Sequence, residues 1–581
     1  MLAEILLSAL CAAIAEASSH QNHIPVEVET KLGKIRGQES IFLHKRVRSF
    51  LSVPFAEPPL DEQRFRPPKP KKPWNDTITA NTLSPACYQG RDMYNSSFWG
   101  SEMWNHNTPV SEDCLFLNIW TPAEAYNLTV MVWLFGGGYY SGSPSLILYD
   151  GKALALLGNV IVVNVNYRVG PFGYLFMDDD EAPGNVGMLD QASSHQNHIP
   201  VEVETKLGKI RGQESIFLHK RVRSFLSVPF AEPPLEEQRF RPPKPKKPWN
   251  DTITANTLSP ACYQGRDMYN SSFWGSEMWN HNTPVSEDCL FLNIWTPAEA
   301  YNLTVMVWLF GGGYYSGSPS LILYDGKIKE SIACLRSVPA QLLVDNIWNL
   351  NLHFLEFPFV IVSRDRNFFR HKDGFTSLRT GQYVHHVNLM FGINHDEGNF
   401  WNIYNLAEYF DKSEQPELNR KEFHECVERA FSVQPELVRS AAKHVYSDPN
   451  CTDPNRRTQF YAEQVNQMVG DYFFTCDSIW LAAKIPRHKP KAGRVYVYYF
   501  DQPSSANPWP KWTGVMHGYE IEYVFGVPIY NETAGYTKRE QILSEKIIQY
   551  WSSFATTGVP RLKDSKATDI WPEYDGVNNT R

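Results

Sequence analysis

Thr129-Val130-Met131-Val132-Trp133-Leu134-Phe135 runs straight into Gly136-Gly137-Gly138-Tyr139-Tyr140-Ser141-Gly142. An apolar run that meets glycine predicts a buried strand ending in a turn. Three glycines carry no side chains, so their N–H groups approach a ligand closely. Donors held there suit an oxyanion, which needs hydrogen bonds waiting where charge develops. Outward from this stretch, Val160 to Val165 is a second buried-type strand, and His386 to Ile393 and Val495 to Phe500 are two more. Val26 to Gly37 alternates apolar and polar about Gly33-Lys34, the pattern of a hairpin. Thr537 and Glu540 form a capping box opening a helix with Leu543, Ile547, Trp551 and Phe554 on one face, and Gly558-Val559-Pro560 ends it. Strands alternating with amphipathic helices predict an α/β fold with a largely parallel sheet. Arg64 to Trp74, basic and proline-rich, reads as an exposed loop.

Composition narrows the function. The chain has 581 residues, 43% hydrophobic and 20% charged, with a formal net charge of −8. That is too apolar for a disordered chain. The negative balance gives nucleic acid no general attraction, so no nucleic-acid partner is expected. No apolar run reaches the ~20 residues of a membrane span, so no transmembrane segment is expected. No His/Cys cluster has ligand spacing, so no metal or cofactor is expected.

A repeat changes the reading of the whole. Residues 17–152 recur at 192–327, and the only difference is Asp61 against Glu236. Solenoid units run about 20–50 residues and stack in several diverged copies; one long block present twice is different. The second copy begins where a processed chain would begin, which fits duplication of a coding segment and a faulty gene model equally. The expected organisation is a signal peptide at 1–17, an N-terminal part at 18–191, the repeated block at 192–327 and a C-terminal part at 328–581.

The leader reading rests on apolar Leu2 to Ala17 and the small-x-small pattern Ala15-Glu16-Ala17, although Glu4 occupies the usual basic region. The alternative is a buried N-terminal helix. Nine Asn-x-Ser/Thr acceptors, at Asn75, Asn95, Asn127, Asn250, Asn270, Asn302, Asn450, Asn531 and Asn578, favour a secreted glycoprotein. Of nine cysteines, Cys11 leaves with the leader, and the remainder suit an oxidising compartment.

Six strings in one order carry a resemblance: Ser111-Glu112-Asp113-Cys114-Leu115-Phe116-Leu117-Asn118, the glycine run, Asn166-Tyr167-Arg168-Val169-Gly170, Ala182-Pro183-Gly184-Asn185-Val186-Gly187, Asp396-Glu397-Gly398 and His517-Gly518-Tyr519-Glu520. The chain resembles the type-B carboxylesterases, and within them the acetylcholinesterase branch of the cholinesterases. The resemblance implies an α/β-hydrolase fold and a serine-esterase mechanism on choline esters, in which Ser attacks, His takes the proton and an acid orients the His. It implies Glu397 as the acid, His517 as the base, and the N–H groups of Gly137 and Gly138 (Gly312 and Gly313 in the copy) as the oxyanion donors. It places the choline-binding tryptophan at Trp104, repeated at Trp279. Tyr140, Phe400, Trp401 and Tyr404 would line the same gorge, Phe357 and Phe359 the acyl pocket, and Trp348 the rim. Trp401 stands where the family pattern has Phe. Disulfides are implied at Cys87–Cys114 and Cys262–Cys289, with Cys334 and Cys476 each half of a lost pair, and Cys426 and Cys451 unassigned. A secreted, extracellular location, synaptic in the family, follows from the same resemblance.

The nucleophile is missing from this pattern. The family carries Gly-x-Ser-x-Gly at a strand-to-helix elbow. No serine or cysteine in the chain has Gly two residues before and two after. Gln191, which the resemblance puts just before that elbow, runs into the second copy at Ala192, and Lys327 runs into Ile328-Lys329-Glu330-Ser331-Ile332-Ala333-Cys334-Leu335-Arg336. The elbow strand would lie inside the sheet, and buried ladder groups left unpaired cost about 1–3 kcal/mol each. Two identical blocks would compete for one docking surface, so misfolding or poor secretion is expected. Three readings stand: a cholinesterase inactive in this form, a nucleophile-less relative acting by binding or adhesion, and the product of a faulty gene model.

Overall fold

Hairpins and short loops decide the first sheet. A computed structural model describes residues 24–91, 99–124, 126–179, 181–193, 200–217, 220–256, 258–265, 281, 283–298, 305–307, 309, 318, 326–349, 352–363, 365, 368–369, 373–384, 386–447, 454–485, 493–563, 571–574 and 576. The leader, Gly312, Gly313, Trp279, Cys451 and the acceptors Asn95, Asn270, Asn302, Asn450 and Asn578 lie outside the described residues. The chain divides into two units, Met1–Asp178 with Pro183–Ser194 and Val338–Arg581, and Asp179–Ala182 with His195–Ser337.

In the first unit the strands are β1 (Ile24–Glu29), β2 (Lys34–Phe42), β3 (Lys45–Pro54), β4 (Ile78–Thr79), β5 (Phe116–Pro122), β6 (Val130–Leu134) and β7 (Ile161–Val165). Their order is β1-β2-β3-β5-β7-β6, with β4 beside β2. The expected hairpin is β1–β2, with Glu29 opposite Lys34 and Gly33 at a φ of +147°. The expectation of a largely parallel sheet needs correcting here. Pairing is antiparallel from β1 through β5 to β7; between β2 and β3 the two-residue turn Leu43-His44 can join only antiparallel neighbours. β6 and β7 pair in parallel, and helix α1 (Lys152–Gly158) lies between them in sequence, as a parallel crossover requires.

The second unit repeats the local design. Its strands are β8 (Pro200–Glu204), β9 (Lys209–Phe217), β10 (Lys220–Pro229), β11 (Ile253–Thr254) and β12 (Phe291–Pro297), in the order β8-β9-β10-β12 with β11 beside β9. Val201 faces Gly212 as Val26 faces Gly37, and Val222 faces Pro297 as Val47 faces Pro122. Ile210, Phe225, Val228 and Ala255 form a small core where Ile35, Phe50, Val53 and Ala80 do in the first copy. Cys87–Cys114 and Cys262–Cys289 are both disulfides.

Two further strands of the first unit, β13 (Leu389–Asn394) and β14 (Val495–Phe500), form a parallel pair. Among the described residues β6 pairs only with β7 and β13 only with β14, so each presents one free ladder edge. Helix α2 (Glu397–Asn405) follows β13 and packs on α3 (Pro454–Gly470), where a Cβ on Gly398 would lie 2.2 Å from the Asn466 carbonyl oxygen. The capping box forms as the sequence predicts, with Thr537 accepting from the Glu540 N–H and Glu540 accepting from the Thr537 N–H. The helix it opens, α4 (Lys538–Thr557), ends at Gly558, whose φ is +73°. Its apolar face meets β14: the Tyr498 and Trp551 rings lie 5.2 Å apart and Tyr496 and Phe554 5.9 Å.

The segment from Arg64 to Trp74 is not a plain exposed loop. Phe65 is buried and stacks on Phe172, and the Arg64 guanidinium pairs with Glu112 and donates to the Val338 carbonyl at 2.7 Å. Composition favours solvent for this loop, and a partner 48 residues away in sequence overrides it.

Candidate active site

The end of β13 sets the geometry. The His395 N–H donates to the Phe500 carbonyl at 2.9 Å and the Asp396 N–H to the Val515 carbonyl at 2.9 Å, so the segment carrying His517 is laced to the segment carrying Glu397. The Asp396 carboxylate accepts from the Val515 N–H at 2.8 Å and from the Asn466 amide at 2.9 Å. Gly514 is required there: its φ is +64°, and a Cβ would lie 2.1 Å from Asp396 Oδ2.

Across this brace, His517 Nδ1 lies 2.7 Å from Glu397 Oε2. The other Glu397 oxygen accepts from the Asn394 N–H at 2.7 Å. Glu397 is buried, whereas the His517 side chain is 42% exposed, so one end of the pair is fixed and the other reaches solvent. The Asn394 amide donates to the Met516 carbonyl and to Glu520 Oε2, at 2.7 and 2.8 Å, which places a second carboxyl behind the pair. Burial pushes the Glu520 carboxyl above its ordinary range, and the Asn394 hydrogen bond works against that shift.

The glycine turn follows β6 directly. Gly137 and Gly138 have φ values of +144° and +56°, and a Cβ on Gly137 would lie 2.1 Å from the Ser141 carbonyl oxygen. Among the described residues neither N–H donates to an acceptor. The turn is held from below: the Tyr167 ring stacks on Phe135 at 4.1 Å, its hydroxyl donates to the Phe135 carbonyl, and the Gly170 N–H donates to the Tyr139 carbonyl at 2.7 Å.

A path of rings links turn and imidazole. Tyr140 contacts Trp348 at 5.0 Å between centroids and Phe357 at 5.2 Å. Phe357 meets Trp401 at 5.9 Å, and Trp401 meets His517 at 5.5 Å. Phe400 lies 5.0 Å from both Trp401 and Tyr404. Trp104 reaches the same loop, since a Cβ on Gly518 would lie 3.2 Å from the edge of its ring. Phe359 is half-buried, and among the described residues no ring pairs with it. The sequence reading missed Phe474, which lies 4.8 Å from His517 and stacks on Trp401 at 6.2 Å. It also missed Asn394 and Asn466, because a strand-end or mid-helix asparagine carries no signal of its distant acceptor. Cys334 and Cys476 are exposed free thiols and Cys426 is a buried one.

The carboxylesterase family model matches residues 25–195, 200–328 and 324–581. The chain is 48% identical over 576 residues to acetylcholinesterase 4 of Caenorhabditis briggsae, covering 96% of this chain and 85% of that protein. It is 33% identical over 562 residues to the acetylcholinesterase of Bungarus fasciatus, covering 94% and 81%. It is 33% identical over 592 residues to that of Electrophorus electricus, covering 94% and 83%. The chain belongs to the carboxylesterase family, whose fold is the α/β-hydrolase.

Proposed function

We propose that this chain is an acetylcholinesterase-like protein that keeps the ligand gorge and the acid–base pair but does not turn over esters through an acyl-enzyme. The observation that carries it is the 2.7 Å contact between His517 Nδ1 and Glu397 Oε2 in a chain with no Gly-x-Ser-x-Gly. With Nδ1 facing the carboxylate, Nε2 is the nitrogen left to take a proton from an attacking alcohol. Gly137 and Gly138 are the donors for the oxygen of an ester carbonyl as it becomes an oxyanion. Trp104 and the rings from Tyr140 to Tyr404 offer π faces to a quaternary ammonium. No serine sits in the elbow that the mechanism needs, so the pair has nothing to activate. The expected setting is extracellular, from the leader and glycosylation acceptors, and synaptic by analogy with the enzymes it resembles. The intact ring path also favours a second reading, a cholinesterase-like binding protein, in which ligand capture is the activity.

The test measures acetylthiocholine hydrolysis and binding of a trimethylammonium ligand on the same preparation. Turnover is expected about 10⁶-fold below that of an intact family member, with no organophosphate-sensitive component. Binding is expected to persist and to weaken about 2- to 30-fold in Trp104→Ala. Organophosphate-sensitive turnover would sink the proposal that no nucleophile is present; undiminished binding in the variant would remove Trp104 from the ligand site.

A further inference from the structure

The glycine turn leaves the sheet where β6 ends at Leu134, and it closes at Gly142. What meets Gly142 is a side chain. The Gln89 amide donates to the Gly142 carbonyl at 2.7 Å and accepts from the Gly142 N–H at 2.8 Å, and both bonds are buried. An amide that exchanges two bonds with one residue imitates a neighbouring antiparallel strand. The same amide donates to the Cys87 carbonyl at 2.9 Å, and Cys87 is disulfide-bonded to Cys114. In the second copy Gln264 makes the matching bond to the Cys262 carbonyl at 3.0 Å, so the local sequence Cys-x-Gln sets this conformation. Gln89 is 5% exposed.

Gly142 in turn lies against the peptide that carries the first donor. Its φ is +116°, and a Cβ there would lie 2.6 Å from the Gly136 carbonyl oxygen and 2.4 Å from the Phe135 ring. The Gly136 carbonyl and the Gly137 N–H belong to one planar trans peptide unit and point in opposite directions. Holding the carbonyl therefore aims the N–H. The next unit is held in the same manner: the Gly137 carbonyl accepts from the Tyr140 and Ser141 N–H groups, both at 3.1 Å, and across that peptide lies the Gly138 N–H. Glycines bring no side chain to restrict the turn, so the aim of both donors depends on such contacts.

We propose that Gln89 is a positioning residue for the oxyanion turn: its amide fixes Gly142, and Gly142 fixes the peptide that presents the Gly137 N–H. The proposal rests on the reading of Gly137 and Gly138 as donors to an ester oxygen. Gln89 acts through Gly142 rather than on the ester. Removing the amide leaves the Gly142 N–H and carbonyl buried without it, a cost that the turn relieves by moving.

The experiment compares amide hydrogen exchange and residual acetylthiocholine hydrolysis in the full chain and in Gln89→Leu. A protease fragment running from Phe135 past Lys152 has no twin in the second copy, since Ala153 follows Lys152 and Ile328 follows Lys327. In the unmodified chain, resolved residue by residue, the Gly142 amide is expected to exchange at least about tenfold more slowly than those of Gly137 and Gly138. This measurement decides the matter if Gln89→Leu does not fold. In Gln89→Leu the Gly142 amide is expected to exchange at least about tenfold faster, with the fragment covering Ile161–Val165 unchanged. An oxyanion turn sustains a residual rate without a nucleophile, and the kcat of that rate should fall at least about tenfold with KM held within about twofold. A Gly142 amide as fast as those of Gly137 and Gly138 overturns the proposal, and so does equal exchange in chain and variant. Faster exchange in turn and strand alike overturns it as well, since Gln89 then supports the unit as a whole. Faster exchange in the turn with an unchanged residual kcat overturns the donor reading, and the proposal with it.

Discussion

Replacing residues 192–327 with the elbow segment of acetylcholinesterase 4 from Caenorhabditis briggsae is expected to raise acetylthiocholine turnover by about 10⁶-fold. Three features of the chain support a gain of that size. Glu397 and His517 are already within hydrogen-bond reach, and the Gly137 and Gly138 N–H groups point to no acceptor among the described residues. Among the described residues β6 pairs only with β7 and β13 only with β14, so a new strand meets donors and acceptors already in place. On the proposed function the elbow segment supplies the alcohol, and nucleophile, base and acid act as a unit, so restoring that segment is expected to recover nearly the whole effect. In the restored chain Glu397→Gln and His517→Ala should each remove most of the activity, whereas in the present chain neither should change the background rate. A restored chain that matches its relative in circular dichroism and elution yet shows no organophosphate-titratable site would refute the assignment of the pair.

Asp190→Ala is expected to lower the unfolding free energy of the first unit by about 3–5 kcal/mol, the cost of stranding a buried charge. The Arg168 and Asp190 side chains are 3% and 0% exposed. Arg168 donates to Asp190 three times, from Nε at 2.8 Å, from Nη2 at 2.7 Å and from its backbone N–H at 3.1 Å. Gly173 and Gly187 close over it, since a Cβ on either would lie within 2.4 Å of the Arg168 carbonyl oxygen. Arg168 follows Tyr167, which supports Phe135 under the glycine turn, so the loss should also loosen Gly137 and Gly138. Urea denaturation measures the effect. The double variant Arg168→Met with Asp190→Leu should recover a large part of it, because a well-packed apolar pair replaces a buried ion pair at little cost. An Asp190→Ala midpoint equal to that of the parent would show that water reaches the guanidinium.

Local signals in the sequence were faithful where the physics is local. The β1–β2 turn follows from Gly33, the start of α4 from Thr537 and Glu540, and the buried strands from runs of β-branched residues. The Glu397–His517 contact was legible only through the strings around the two residues, since an isolated Glu or His carries no mark of its partner 120 residues away. Phe474, Asn394 and Asn466 were not legible, because ring stacking and side-chain bonds to distant carbonyls depend on packing rather than on spacing. Arg64 looked like solvent-facing loop for the same reason: Glu112 and Val338 come to it only in the fold.

The repeat gives the chain an internal reference. Any protease fragment drawn from 17–152, other than one containing Asp61, has a twin of identical mass in 192–327. Phe116–Pro122 and Phe291–Pro297 are such twins: the first ladders to β3 and β7, the second, among the described residues, to β10. Deuterium uptake by that one fragment therefore reports two populations in a single isotope envelope, one slow and one fast. The separation between them measures what a second neighbouring strand adds to the protection of an identical sequence, with temperature, pH and composition held the same by the covalent chain itself.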